Sequence, residues 1–416
     1  MTINQAELDQ SAVRPVPAAP VAGGGISSRL ASILAVTAGF SAANIYYAQP
    51  LLTAIGSTFH VGSAAVSLVV TAGTVGFTLG MATLVPLGDL LDRRKLAVAL
   101  LSVVALFQLI AAGAPSLAVL IGAALVVATA SVVSPLMVAF AATLAAPEDR
   151  GRVTGKVMSG VLIGILLART AGGLLASAAG WRSVYLVSAL LVLVLATLLW
   201  RVLPTARGEA QVSYPRLLAS VPKLLAEEPQ LRLRSAFGFV SLAGFNVLWT
   251  SIAFLLAGAP YHYGTALIGL FGLVGAVGAT AARITGRAAD RRLDRPATAG
   301  LLALVLLSWG LMALNGGGWL WALIAGVVLL DFGVQGMQVM NLSIIYRLRP
   351  EVRSRLTTAY MTIYFLGGAA GSAASGSAYA AWGWDGVCAV GAALAGVALL
   401  ICLVEAARAR RQAPTA

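Results

Sequence analysis

Apolar residues of this 416-residue chain are gathered into twelve long runs, which short polar or basic segments separate. Each run is close to the roughly 20 residues that a helix needs to cross the hydrocarbon of a membrane. We therefore predict twelve membrane-spanning helices, numbered spans 1 to 12. They are expected at residues 30–55, 64–87, 96–114, 116–145, 153–178, 182–203, 235–258, 265–285, 297–315, 318–346, 356–380 and 384–405.

The polar segments divide the chain into two sets of six spans, a linker between them and a tail at each end. These five parts are expected at 1–28, 29–203, 204–234, 235–405 and 406–416. The first tail is rich in Pro, Ala and Gly, which predicts disorder. The linker has an amphipathic pattern at Tyr214–Glu228, which predicts a helix on the membrane surface. Pro50 and Pro135 predict kinks within spans 1 and 4.

Several sequence landmarks occur twice in the same order. The loop after span 2 reads Gly-x-x-x-Asp-Arg-Arg from Gly88, and the loop after span 8 reads the same from Gly286, 198 residues later. Three further pairs are 202 or 203 residues apart: His60 and His262, Pro147 and Pro350, and Gly180 and Gly383. Duplication of this length predicts two parallel halves, as in many transporters.

Composition and charge agree with a membrane protein. The chain is 59% hydrophobic and 10% charged, whereas soluble proteins average about half and about a quarter. The net charge of +13 does not indicate nucleic-acid binding, because of the 28 Lys and Arg residues only Arg169 and Arg182 lie away from the termini and the even-numbered loops. That asymmetry predicts that both termini are cytoplasmic.

The sequence contains no zinc-protease, phosphate-binding-loop or serine-hydrolase motif, and it has two histidines. We therefore expect neither an enzyme nor a metal site.

The duplicated Gly-x-x-x-Asp-Arg loop resembles that of the major facilitator superfamily. The segments 43–50 and 168–170 are similar to its drug-efflux and sugar-efflux branch. The resemblance implies an all-α membrane protein with twelve transmembrane helices in two pseudo-symmetric six-helix bundles. It also implies proton-driven export of a small organic molecule (drug-like, sugar or metabolite) by alternating access. We expect a monomer in the bacterial inner membrane that contacts substrate, protons and membrane lipids, with the proton gradient as energy source and no cofactor.

Two departures from the family pattern concern spans 4 and 5. Antiporters of the family carry Gly-x-x-x-Gly-Pro-x-x-Gly-Gly in span 5, whereas this chain has Ala168 in place of the second glycine and Arg169 in place of the proline. Span 4 lacks the arginine that related drug–proton antiporters commonly place there. One hypothesis is that Arg169 takes over that role.

Asp331 is the only acidic residue in the interior of any apolar run. It lies about 12 residues into span 10, hence roughly 18 Å deep. Burial disfavours the charged form of a carboxyl group, so Asp331 is the candidate proton carrier. The alternative is a structural carboxyl that is permanently paired or protonated. Arg169 is the only deep cation and needs a partner, for which Asp331 is the candidate. We predict proton coupling by this pair.

Polar and aromatic side chains of spans 1, 7, 10 and 11 are the candidates for substrate contacts. They are Asn44, Tyr46, Tyr47, Gln49, Asn246, Trp249, Gln335, Gln338, Tyr360 and Tyr364. Aromatic faces with a few polar groups suit an amphipathic or cationic molecule. Interfacial aromatic belts and helix packing are the alternatives. We also expect Ser67, Thr71, Thr74 and Thr78 of span 2 to face the other bundle.

The duplicated loops are the candidate gates. The resemblance implies that their aspartates pair across the bundles and close the cytoplasmic side when the protein faces outward. The predicted gating residues are Gly88, Asp92, Arg93, Gly286, Asp290 and Arg291. We expect both glycines to permit close helix approach. The alternative is that these charges only set topology.

Two other functions remain open. An uptake symporter or facilitator has the same fold, and a membrane sensor or scaffold would not transport at all. The polar positions 331, 335 and 338 on one stripe of span 10 argue against the scaffold, which has no need of them.

Overall fold

The computed structural model describes residues 26–88, 90–146, 148–204, 214–314, 318–349 and 352–411. Helices and short turns make up these residues, and no strand occurs among them. Most of the predicted tail at 1–28 lies outside the described residues. The predicted tail at 406–416 begins as a continuation of span 12, which ends at Arg411.

The first bundle contains spans 1 to 6. Their helices are Ser28–Ala43 and Leu52–Phe59 (span 1), Ser63–Leu87 (span 2), Arg93–Ala112 (span 3), Leu117–Ala130 and Val133–Leu144 (span 4), Arg150–Ala179 (span 5) and Trp181–Val202 (span 6).

The second bundle contains spans 7 to 12. Its helices are Pro229–Ala257 (span 7), Thr265–Phe271, Gly272–Thr280 and Ala281–Asp290 (span 8), Asp294–Ala313 (span 9), Leu320–Ile345 (span 10) and Arg353–Arg411 (spans 11 and 12). Gly383, with φ 61°, separates spans 11 and 12.

Length and composition identify the helices that can cross a membrane. Nine helices of the described residues qualify. One of them is long enough to contain both span 11 and span 12. The shorter apolar helices Ser28–Ala43 and Thr265–Gly275 belong to spans 1 and 8. These helices account for all twelve predicted spans, so the chain is a multi-pass membrane protein. We call the face with the arginine-rich connections after spans 2, 4, 6, 8 and 10 the basic side, and the opposite face the far side.

Both predicted proline kinks are present. Span 1 ends its α-helix at Ala43 and resumes through a 3-10 turn at Gln49–Leu51. In span 4, Pro135 has no N–H to donate to the carbonyl of Ser131, where the helix breaks. Ser41 Oγ donates to that carbonyl at 2.5 Å. This hydrogen bond connects the end of the first helix of span 1 to the break in span 4.

The sequence repeat extends to the backbone. His60 and His262 have φ of 53° and 52°, and Gly180 and Gly383 have φ of 78° and 61°. Positive φ is uncommon, above all for residues other than glycine. Equivalent turns in the two halves therefore follow the same path.

The two bundles meet along two seams, span 2 with span 11 and span 5 with span 8. In the first seam Ser372 Oγ donates to Thr71 Oγ1 at 3.1 Å, which confirms the predicted contact face of span 2. In the second, Thr170 Oγ1 donates to the carbonyl of Gly269 at 3.2 Å. The basic-side part of span 8, Ala281–Asp290, packs on span 10 instead. Spans 5 and 8 therefore pack through their far-side halves.

The linker contains the expected amphipathic helix, at Tyr214–Glu227. Tyr214 Oη donates to the carbonyl of Thr83 in span 2 at 2.9 Å. At the other end, Glu228 pairs with Arg349 at 2.6 Å. The linker is therefore attached to both bundles on the basic side.

Candidate functional site

The irregular segment of span 1 brings a polar side chain to the deep arginine. Because the α-helix stops at Ala43, the chain reaches Gln49 in a 3-10 turn. Gln49 Oε1 accepts a hydrogen bond from Arg169 Nε at 2.7 Å. This contact stays within the first bundle. It supplies one of the acceptors that a buried guanidinium requires.

Aromatic rings surround the rest of the Arg169 side chain, which is 5% exposed. Its guanidinium carbon lies 4.9 Å from the ring centre of Tyr46, 5.5 Å from that of Phe245 and 4.0 Å from that of Trp249. Tyr46 belongs to the first bundle, whereas the other two belong to the second. Arg169 Nη2 is buried and has no hydrogen-bond partner. The arginine therefore lies at the bundle interface with one unused donor group.

Asp331 is 4% exposed, and its Oδ1 accepts a hydrogen bond from Trp249 Nε1 at 3.2 Å. The direct ion pair suggested by the sequence is not present in this conformation. Among the ion pairs of the described residues, none joins Arg169 to Asp331 within 4.0 Å. Trp249 lies between them instead, with its ring under the guanidinium and its N–H on the carboxyl group. A sequence pattern gives depth along each helix but not which side chain fills the gap between two helices.

Three glycines of span 8 pack against the same two ions. The middle of span 8 is a 3-10 helix, in which residues three apart lie on one face. A Cβ at Gly272 would lie 2.9 Å from Arg169 Cβ, and one at Gly278 would lie 2.8 Å from Asp331 Cβ. A Cβ at Gly275 would overlap Asp331 Oδ2. Only glycine permits this approach, and the spacing Gly-x-x-Gly-x-x-Gly was the signal that our sequence analysis missed.

Asn44 belongs to a buried network of the first bundle. Its Nδ2 donates to Ser131 Oγ at 3.1 Å, and its Oδ1 accepts from Gln108 Nε2 at 2.8 Å. Gln108 Nε2 also donates to Ser188 Oγ at 3.0 Å. These bonds join spans 1, 3, 4 and 6. The amide of Asn44 therefore helps to hold four helices of one bundle together, and its contact with substrate stays a prediction.

Tyr47 also lies inside the first bundle, and its contact with substrate likewise stays a prediction. Its side chain lies in the first bundle's hydrophobic core, in a cluster with Ala168, Trp181 and Val184. Its side chain points in a different direction from that of Tyr46, which reaches the interface and contacts Arg169. Because the backbone at residues 44–48 is not a regular helix, a helical repeat cannot predict which way these side chains point.

The predicted substrate residues of the second bundle divide into two groups. Asn246 Nδ2 donates to the carbonyl of Gly368 at 2.9 Å, and Tyr360 Oη accepts from Asn341 Nδ2 at 3.4 Å. These bonds join spans 7 and 10 to span 11 and stay within the bundle. Half-buried Gln335 and Gln338, and buried Tyr364 with its ring centre 5.7 Å from that of Tyr360, form the other group. Their contact with substrate stays a prediction.

The hydrogen bonds described for the first candidate gate join residues of the first bundle. Asp92 Oδ1 accepts from the backbone N–H of Lys95 at 3.1 Å and caps span 3. Arg93 donates to the carbonyl of Gly88 at 3.0 Å and to Thr143 Oγ1 at 2.8 Å. Close approach at Gly88 is confirmed, because an added Cβ would lie 2.6 Å from a methyl group of span 4.

The second candidate gate differs from the first. The predicted close approach at Gly286 is wrong, since a Cβ there would meet no atom within 4 Å. Asp290 ends span 8 and Arg291 follows it, both exposed. The ion pair at this loop is formed by Asp294, whose Oδ2 lies 2.6 Å from Nη2 of Arg347. Ion pairs found among the described residues stay within one bundle or within the linker, or join the linker to the second bundle. The gating roles therefore remain predictions.

Comparisons with known proteins agree with this architecture. The transporter named "Uncharacterized transporter YgaY" of Escherichia coli O157:H7 is 45% identical over 376 residues, which are 90% of this chain and 95% of that protein. "Multidrug transporter MdfA" of Yersinia pestis (strain Angola) is 25% identical over 189 residues, 44% of this chain and 46% of that protein.

A mutant of the nucleoside transporter NupG has the same fold in its crystal structure, with a TM-score of 0.72 and 13% identity over 90% of this chain and 99% of that one. The family model of the Major Facilitator Superfamily matches residues 34–372. With twelve spans in two repeated bundles and these relatives, the chain belongs to the Major Facilitator Superfamily.

Proposed function

We propose that this protein exports a small organic molecule across the bacterial inner membrane in exchange for protons. The observation that carries the proposal is the chain of contacts Arg169–Trp249–Asp331, which crosses the bundle interface. Protonation of Asp331 would act on Trp249, which donates to it and contacts Arg169 across the interface. Proton binding would in this way change how the two bundles pack. No enzymatic activity is proposed, because transport requires only such a switch and a binding site.

Orientation follows from the positive-inside rule. The arginine-rich loops place the basic side, and with it both termini, in the cytoplasm. The seam between spans 5 and 8 then closes the outer half of the protein. In that orientation the interface is closed towards the outside, and an outward-facing state requires Arg169 to leave Phe245 and Trp249.

Charge at the site determines the direction of coupling. When Asp331 is ionised, its charge and that of Arg169 cancel. A proton on Asp331, or a cationic substrate beside it, each leaves one net positive charge, and both together leave two. Surroundings of low dielectric penalise that accumulation. Proton and cation therefore weaken each other's binding by the same factor, which is the requirement for antiport. The distant similarity to a multidrug transporter supports export.

One observation favours a second candidate function. Arg169 Nη2 is a buried donor without an acceptor, which an anionic substrate would satisfy. An anion and a proton together leave the site neutral, so each strengthens the binding of the other. That coupling is symport, and the second candidate is therefore proton-linked uptake of an organic anion. A non-transporting sensor is disfavoured because it requires no oppositely charged residues buried at the bundle interface.

Reconstituted vesicles with an imposed pH gradient test both candidates. Ethidium serves as a permanent cation and naphthalene sulfonate as a permanent anion. Accumulation of ethidium in vesicles with an acidic interior supports antiport. Accumulation of naphthalene sulfonate driven by an acidic exterior supports symport. Absence of gradient-dependent flux for a wide panel of cations, anions and neutral compounds would overturn proton-coupled transport.

A further inference from the structure

A second polar pocket lies far from the Arg169 site, at the basic-side ends of spans 7, 9 and 12. Its volume is about 620 Å³, and it is lined by residues of all three helices. The residues that matter for its chemistry are Arg234, Phe237, Arg295, Leu403 and Arg408. Neither the family resemblance nor the proposed transport uses this pocket.

Arg234 forms the inner wall of the pocket and is 5% exposed. Its Nη1 donates to Thr298 Oγ1 at 2.9 Å, but its Nε is buried without a hydrogen-bond partner. The acid at the start of span 9, Asp294, forms its ion pair with Arg347 and not with Arg234. A buried guanidinium with an unused donor is costly unless an acceptor is supplied. Arg234 therefore lines the pocket and has a donor that no residue in the described part of the chain satisfies.

Two further arginines stand at the rim. Arg295 and Arg408 are exposed and line the same pocket. Glu405 also lines it and lies 3.5 Å from Arg408, in an exposed contact of the kind that contributes little stability. With three arginines and one glutamate in its lining, the pocket carries a net positive charge. It therefore selects for a ligand with at least one negative group.

Most of the remaining lining residues are apolar and indicate a ligand with a hydrophobic part. Phe237 lies one turn deeper than Arg234, with its ring centre 5.6 Å from the guanidinium carbon. Leu403 of span 12 is 52% exposed, on a helix that faces lipid. The pocket thus combines cations at the membrane surface with apolar walls towards the hydrocarbon. A free phosphate or other soluble anion uses only the first of these features.

We infer that this pocket binds the headgroup of an anionic phospholipid, with the phosphate on Arg234, Arg295 and Arg408 and the glyceride part against Phe237 and Leu403. Basic pockets between transmembrane helices are suited to such headgroups. The bound lipid joins the ends of spans 7, 9 and 12. It therefore stabilises the folded second bundle by mass action.

Thermal unfolding of the purified full-length protein in dodecyl maltoside tests the inference. Phosphatidylglycerol, phosphatidylcholine and soluble glycerol phosphate are titrated separately. Phosphatidylglycerol is expected to raise Tm in a saturable manner, and the other two are expected to leave it unchanged. An equal rise with phosphatidylcholine would overturn the charge selection. An equal rise with glycerol phosphate would overturn the lipid assignment in favour of a soluble anion.

Variants at the rim avoid the risk that a change at buried Arg234 prevents folding. The double variant Arg295→Gln/Arg408→Gln is expected to weaken the apparent affinity for phosphatidylglycerol roughly 25-fold, at about fivefold for each arginine near an anionic headgroup. Arg201→Gln, an exposed arginine at the basic-side end of span 6, is the matched control and should leave the affinity unchanged. Unchanged affinity in the double variant, or an equal loss in the control, would contradict the assignment. Native mass spectrometry of the same samples counts the retained lipids.

Discussion

The guanidinium carbon of Arg169 lies 4.0 Å from the ring centre of Trp249, and the two residues belong to different bundles. Contacts of this type contribute about 2 kcal/mol when they are shielded from water. The seam between spans 5 and 8, on the far side, cannot open while the contact remains. Trp249 also donates its N–H to Asp331, so a change at that carboxyl group acts on the residue that holds the seam.

Substitution of Asp331 by Asn should abolish proton-coupled transport and leave folding intact. The amide oxygen can still accept the N–H of Trp249, but the side chain can no longer take up and release a proton. Flux in vesicles under a pH gradient is the measurement, together with Tm in detergent. Asp385→Asn, at an exposed position at the far-side end of span 12, is the control and should transport normally. Normal gradient-driven flux in Asp331→Asn would rule out the proposed proton site.

Arg169 and Asp331 should be energetically coupled although they do not touch. Removal of either ion leaves the other without its opposite charge. A double-mutant cycle with Arg169→Ala and Asp331→Ala should give a coupling energy of about 0.5–3 kcal/mol in thermal unfolding. Strictly additive effects would mean that each ion relies on separate partners, such as Gln49 for the arginine.

The same cycle repeated with Trp249→Phe tests the intermediate residue. Phenylalanine keeps an aromatic face for Arg169 but has no N–H for Asp331. The coupling energy should fall, because the carboxyl group loses its hydrogen-bond link to the ring beneath the guanidinium. Phe245→Leu, which removes a ring from Arg169 without touching that link, is the comparison. An unchanged coupling energy in Trp249→Phe would show that the two ions interact through space alone.

Asp92→Asn and Asp290→Asn should lower turnover more than substrate affinity, since gate residues act on the balance between conformations. Asparagine preserves the cap on the N–H of Lys95, because it is as good a capping residue as aspartate. Asp92→Ala loses the cap as well, at a cost of about 1 kcal/mol, and so separates stability from gating. Wild-type turnover in both asparagine variants would show that these loops only set topology.

The glycine face of span 8 should not tolerate a methyl group. In Gly275→Ala the new Cβ overlaps Asp331 Oδ2 and lies 3.1 Å from a ring carbon of Trp249. Overpacking of this kind costs about 1–3 kcal/mol, so a lowered Tm and reduced transport are expected. Gly310→Ala in span 9, where a Cβ meets nothing within 4 Å, should be neutral or slightly stabilising. Equal Tm for the two variants would contradict the packing described here.

Sequence reasoning predicted the spans, the duplicated halves and the two deep ions, because each depends on hydrophobic length or on the rarity of charge in hydrocarbon. It did not describe the places where the backbone leaves the regular helix. The rotation of Asn44 and Tyr47 depends on the break in span 1, which a 3.6-residue repeat cannot describe. The alignment of Gly275 with Asp331 depends on 3-10 geometry in span 8, which has a period of three.

The hydrogen bond between Gln49 and Arg169 has a consequence for how the chain is made. Membrane proteins are synthesised from the amino terminus, so span 5 enters the membrane before spans 7 and 10 exist. Phe245, Trp249 and Asp331 are then still unavailable, and an arginine in hydrocarbon without an acceptor is costly. Gln49 precedes Arg169 in the chain and lies 2.7 Å from it in the finished protein. The first bundle therefore carries its own acceptor for this arginine, and its assembly need not wait for the second.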